Sequence, residues 1–201
     1  LKGCKCIYLS IPKIKSLKGI EKCKSLERII IDQATSLNEI NSLGELNNLD
    51  AIHFLNVLKL KDFKIIGELN NLQKCLISDS CSYIDQDKDL SEEATKPANL
   101  PDKWPENLLD LGLFVNTKKL GQLPSKLIGF SIKSRHIESL RGIENSLKIN
   151  SEEEKEILSE KFDWVHAAMT SNNNLDLASC PSLRDLEGLE NFSHLKNYSI
   201  T

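Results

Sequence analysis

Six cysteines and four histidines are the residues most able to do chemistry here, so their spacing decides which reactions are open to the chain. His53, His136, His166 and His194 stand far apart in unrelated contexts, with no H-E-x-x-H helix, no G-x-S-x-G elbow and no phosphate-cradling glycine-rich loop. The cysteines form no C-x-x-C pair and no Cys/His spacing suited to zinc. No catalytic residue, metal site, cofactor or small-molecule substrate is therefore expected. The run Glu152-Glu153-Glu154 offers paired carboxylates, but acids in the first turn of a helix ordinarily complement its dipole. An enzyme would need a histidine or cysteine to converge with carboxylates on the irregular stretch at 79–103, acting as a lid. Asn191-Phe192-Ser193 and Asn197-Tyr198-Ser199 fit the glycosylation acceptor pattern, without a secretory signal to support them.

The elements that must carry these residues are set by a repeat. Ile20, Leu43 and Ile66 fall into one column at a constant shift, as do Cys23/Leu46/Leu69, Leu26/Leu49/Leu72, Ile29/Ile52/Cys75 and Ile31/Phe54/Ile77. Aligned apolar columns at a fixed shift mean that each unit buries its apolar face only by stacking on its neighbours. Within a unit, Ile29 and Ile31 alternate as in a strand with one buried face, and Arg28 and Ile30 point the other way. Ile20, Cys23 and Leu26 continue the core stripe at helical spacing.

Leu26-x-x-Ile29-x-Ile31 and Leu49-x-x-Ile52-x-Phe54 read L-x-x-L-x-L, which resembles the leucine-rich repeat family. The pattern runs almost end to end. Cys4, Ile7 and Leu9 prefigure Leu26, Ile29 and Ile31, with a return one position shorter. The segment from Trp104 to Leu113 matches the one from Leu123 to Ile132 at a smaller shift and is similar to the short, Pro-containing bacterial class. Gly188-Leu189-Glu190, Phe192, Leu195, Tyr198 and Ile200 reproduce the columns of Gly19 to Ile31, and Leu175 and Leu177 stand one full repeat before Tyr198 and Ile200. A further strand is expected at Leu147-Lys148-Ile149, after Leu140-Arg141-Gly142-Ile143-Glu144.

The resemblance implies an α/β fold: a curved solenoid with one parallel sheet of about nine short strands on its concave face and helical or irregular returns outside. The chain reads as a single domain, 1–201, with regular repeats at 1–78, an insertion or degenerate repeat around Tyr83-Ile84 at 79–103, short repeats at 104–150, an amphipathic helix at 151–170 and final repeats at 171–201. Ser151 and Glu154 form a capping box for that helix, and Leu158, Phe162, Val165 and Met169 share one face. The family's asparagine after each strand is missing almost throughout: Ile31 is followed by Asp32-Gln33-Ala34, and Ile132 by Lys133-Ser134-Arg135. These turns must be held by other polar groups or by water. With Leu1 in first place and an apolar strand at the end, the chain reads as a fragment of a longer repeat protein, or as one whose caps lie outside it.

Cys4, Cys23 and Cys75 fall in columns elsewhere filled by leucine or isoleucine and are expected in the core, whereas Cys6 faces out. Cys81 and Cys180 are open to either a free thiol or a disulfide. The 26 basic and 29 acidic residues are interspersed at a net charge of −3, which argues against a nucleic-acid partner. No apolar stretch approaches the ~20 residues of a membrane span, and no basic-then-apolar segment opens the chain. A cytoplasmic location is the expectation, unless a signal lies upstream of Leu1.

What the resemblance implies for function is protein binding through the concave face. The column between the strand apolars reads Tyr8, Ile30, His53, Leu76, Gly112, Ser131, Lys148, Asp176 and Ser199, with Arg28 and Lys74 in the neighbouring column. Tyr8, Arg28, Ile30, His53, Lys74 and Leu76 combine aromatic, aliphatic and basic side chains, the composition of interface centres. The same face in a bacterial solenoid would also suit a toxin-neutralising immunity factor or the targeting domain of an effector.

Overall fold

Each unit places a short extended segment beside the one before it, and among the described residues eight strands result, all parallel and in chain order in one sheet: β1 Cys6–Leu9, β2 Arg28–Asp32, β3 Ala51–Leu55, β4 Lys74–Ser78, β5 Asp110–Phe114, β6 Gly129–Lys133, β7 Asn174–Ala178 and β8 Asn197–Ile200. This computed structural model describes residues 3–79, 96–127, 129–143, 146, 174–178, 180–184 and 197–200, with only the backbone described in β7 and β8. Its architecture is a leucine-rich-repeat-like solenoid.

The sheet register follows the sequence columns. Ile7 pairs with Ile29, Ile29 with Ile52 and Ile52 with Cys75; one pleat on, Leu9, Ile31, Phe54 and Ile77 form the parallel row. Leu111 and Leu113 pair with Phe130 and Ile132, and Leu175 and Leu177 with Tyr198 and Ile200. Behind the sheet these rows meet the return residues Leu26, Leu37, Ile40, Leu43 and Leu46, all buried. Phe63 meets Phe54 edge to face at 5.8 Å, and the buried Trp104 indole donates to the Leu120 carbonyl at 2.7 Å. Cys75 lies in this core; burial, then the nearby Asp110 charge, pushes its thiol far above the ordinary range. Cys4, Cys23 and Cys180 are half-buried at its edge and Cys6 is exposed, while Cys81 lies outside the described residues.

The returns at Ile20–Lys22, Asn41–Glu45 and Lys64–Glu68 are short 3-10 helices, because so short a repeat leaves little chain for a return once the strand and its turns are made. In the sheet β6 pairs with β7, Phe130 with Leu175, and the strand expected at Leu147-Lys148-Ile149 lies outside the described residues. The return after β7 also stacks on the return after β6, since Arg184 N–H donates to the Glu138 carbonyl and Ser182 to the Arg135 carbonyl. Lys74 of β4 pairs with Asp110 of β5, and the insertion or degenerate repeat expected around Tyr83-Ile84 lies outside the described residues. Asn99 and Lys103 bridge to Asp62 and Gln122 of neighbouring coils. The expected helix at 151–170 lies outside the described residues.

Polar ladders hold the coils in register in place of the missing post-strand asparagines. Asn48, Asn71 and Asn107 each stand just before a core leucine and donate through Nδ2 to the carbonyls of Lys24, Asn47 and Asn70 in the preceding coil. After the strands, Asn56 Nδ2 donates to Asp32, and Thr117 N–H donates to Ser134 Oγ, which donates in turn to the Thr117 carbonyl. Gln33 and Asn56, one repeat apart, both turn the chain with positive φ. Gly121 has φ +72, and a Cβ there would stand 2.1 Å from the Pro101 carbonyl oxygen, so only glycine lets these two coils close up.

Candidate functional site

The outward column of the sheet is a continuous row of paired positions: Tyr8, Ile30, His53, Leu76, Gly112 and Ser131. Beside it runs Cys6, Arg28, Ala51, Lys74, Asp110 and Gly129. The expected site residues therefore do share one face. Their exposure, however, divides along the row. Tyr8 is 59% exposed, Arg28 and Ile30 are half-buried, and His53, Leu76 and Lys74 are only 4–5% exposed. The column is solvent-facing at β1 and β2 and closed to solvent from β3 onward.

Two glycines help to explain the closure. Gly112 offers no side chain, and a Cβ there would lie 2.7 Å from Leu76 Cδ1, so Leu76 fills the notch that the glycine leaves. Gly129 does the same for Asp110, whose Oδ1 would stand 2.7 Å from a Cβ at that position. Asp110 is thereby drawn down onto the sheet, where it pairs with Lys74 at 2.9 Å, both side chains almost fully buried. This pair is the innermost of a row of inter-coil ion pairs that includes Lys5 with Glu27 at 2.8 Å and Arg28 with Asp50 at 3.7 Å. Burial, reinforced by the Lys74 charge, holds His53 down to a pKa of about 4, so it is neutral at physiological pH.

The open end is organised differently. Tyr8 donates its phenol hydrogen to Asp32 Oδ2 at 2.9 Å, and Asn56 Nδ2 donates to the other oxygen of the same carboxylate at 3.0 Å. The hydrogen bond to Asp32 raises the Tyr8 pKa above its ordinary value. The ring is thus presented to solvent in a held orientation. Ile11, 46% exposed, lies just beyond on the same first coil. Sequence reading singled out Tyr8 but missed Asp32 and Asn56. Their signal was available as polar residues at the strand ends, one coil apart.

Among the described residues no group of three or more His, Cys, Asp or Glu side chains could hold a metal ion. No helix there is long and apolar enough to cross a membrane. No protein-family model and no curated protein matches the chain. Solved structures similar to it include the crystal structure of an internalin (inlF) from Listeria monocytogenes. That match has 12% identity and a TM-score of 0.23, and it covers 94% of this chain and 78% of the other. A likeness this distant carries no argument about function.

Proposed function

We propose that the chain is a non-catalytic protein-binding module whose partner docks on the outward face of β1 and β2, with Tyr8 as the central anchor and Ile30 and Arg28 beside it. The observation that carries this reading is a large aromatic ring left exposed yet fixed by Asp32, which in turn is fixed by Asn56. A side chain already held in its bound orientation loses little conformational freedom on association, and tyrosine and arginine are the residues on which interface energy concentrates. The fitting partner is a protein surface offering an apolar pocket for the ring, with a carboxylate near Arg28. A stable complex would bury about 800 Å² on each side. His53, Leu76 and Lys74 then act from the side, stiffening the sheet next to the docking strands.

The test is capture of a partner from lysate by the wild-type chain, followed by affinity measurement on the purified pair. Tyr8→Ala together with Ile30→Asp is expected to weaken binding by about thirtyfold or more while circular dichroism stays unchanged. Lys126→Ala, exposed and several coils away, serves as the control. Equal affinity of the wild type and the double variant removes β1 and β2 from the interface.

A further inference from the structure

Behind the sheet, the close approach of two coils opens a half-enclosed cleft of about 320 Å³. Its walls are the segments 97–102 and 117–121, with Lys64 at the rim. The volume lies within the range of small-molecule sites. Its walls are stiff for covalent and steric reasons. Pro97 and Pro101 have fixed φ, Gly121 presses against the Pro101 carbonyl, and Thr117 Oγ1 donates to the Lys119 carbonyl at 2.8 Å, closing the turn that carries Lys118 and Lys119.

Charge is the second observation. Lys64, Lys118 and Lys119 line the cleft against a single acid, Asp102, in a chain whose overall charge is −3. Elsewhere Lys5, Lys24, Lys61, Lys74 and Lys103 each pair with a carboxylate. None of the three cleft lysines has such a partner among the described residues. Like charges gathered without counterions repel, and a concave site lined by one sign concentrates ions of the other. Asn99 adds an amide to the lining, and exposed ammonium groups bind phosphate and carboxylate oxygens as point charges.

We propose that this cleft binds a small multivalent anion, a phosphate ester or a polycarboxylate, separately from the protein-docking face. Isothermal titration of the purified chain with inorganic pyrophosphate, and in a second arm with citrate, at low and at physiological ionic strength tests it. Saturable one-to-one binding to either probe is expected, weakening as salt is raised. Lys118→Glu with Lys119→Glu should weaken it at least about tenfold. Lys118→Arg with Lys119→Arg should retain it, and Lys13→Glu, exposed on the first coil, should change nothing. Because all these side chains are exposed, an unchanged melting temperature separates loss of binding from loss of fold. The arm that saturates more tightly tells phosphate from carboxylate chemistry. No saturation by either probe, or equal binding by the glutamate variant, overturns the proposal.

Discussion

The strands β2 and β4 follow the same apolar alternation, yet their outward faces have opposite fates. Ile30 and Arg28 on β2 remain half open to solvent, while Leu76 and Lys74 on β4 are sealed. The difference lies in the following neighbour. Beyond β2 stands β3, with side chains at every outward position; beyond β4 stands β5, whose Gly112 gives Leu76 a place to fold down, and beyond that β6, whose Gly129 gives one to Asp110. A repeat therefore specifies the buried side of its sheet locally, whereas the accessibility of the other side depends on residues one and two coils away.

The largest effect that sharpens this comparison falls on the sealed region. Lys74→Met leaves the Asp110 carboxylate buried beside an apolar side chain, and breaking a buried pair from one side costs about 3–5 kcal/mol. Denaturant unfolding should show that loss, and replacing both partners, Lys74→Met with Asp110→Leu, should recover part of it. Tyr8→Ala in the open region should leave the unfolding midpoint nearly unchanged. Equal midpoint shifts for Lys74→Met and Tyr8→Ala would break the distinction between the two regions.

A smaller effect concerns pH. His53 is neutral in the folded chain down to about pH 4, against an ordinary value of 6.5. Above that ordinary value both folded and unfolded forms are neutral and the residue contributes no pH dependence. As pH falls from about 6.5 toward 4, the unfolded chain takes up a proton that the folded chain refuses, so stability falls by on the order of 3 kcal/mol across that window. Comparing His53→Leu with wild type isolates the contribution. The wild type should lose more stability than the variant on acidification, and parallel stability curves would mean that His53 is not desolvated.

The core of this fold is legible in the sequence because it is written in columns. Leu26, Ile29 and Ile31 and their counterparts a coil away predict strand, register and buried face together, and the pairings of β1 to β6 follow them. Leu140 to Ile143 repeats Leu17 to Ile20, and Leu140 and Ile143 are buried as Leu17 and Ile20 are, yet the next strand in the sheet is Asn174–Ala178. An apolar column reports stacking of a return without fixing where the following strand joins. The site was half legible. Alternation placed Tyr8, Ile30, His53 and Leu76 on one face, but the notch at Gly112 that Leu76 fills is a feature that an apolar pattern passes over. The ladder of Asn48, Asn71 and Asn107 was missed for a related reason, as it lies before the strand rather than after it.

Hydroxyl-radical footprinting read by mass spectrometry, with and without the captured partner, tests the division of the face most directly, since it reports the accessibility of each side chain in the intact chain. Tyr8 is expected to oxidise fast, Ile30 more slowly, and His53 and Leu76 barely at all, with Tyr8 becoming protected when the partner binds. Oxidation of His53 and Leu76 as fast as Tyr8, or a partner that protects them and leaves Tyr8 reactive, would contradict an interface opened at β1 and β2 and sealed beyond.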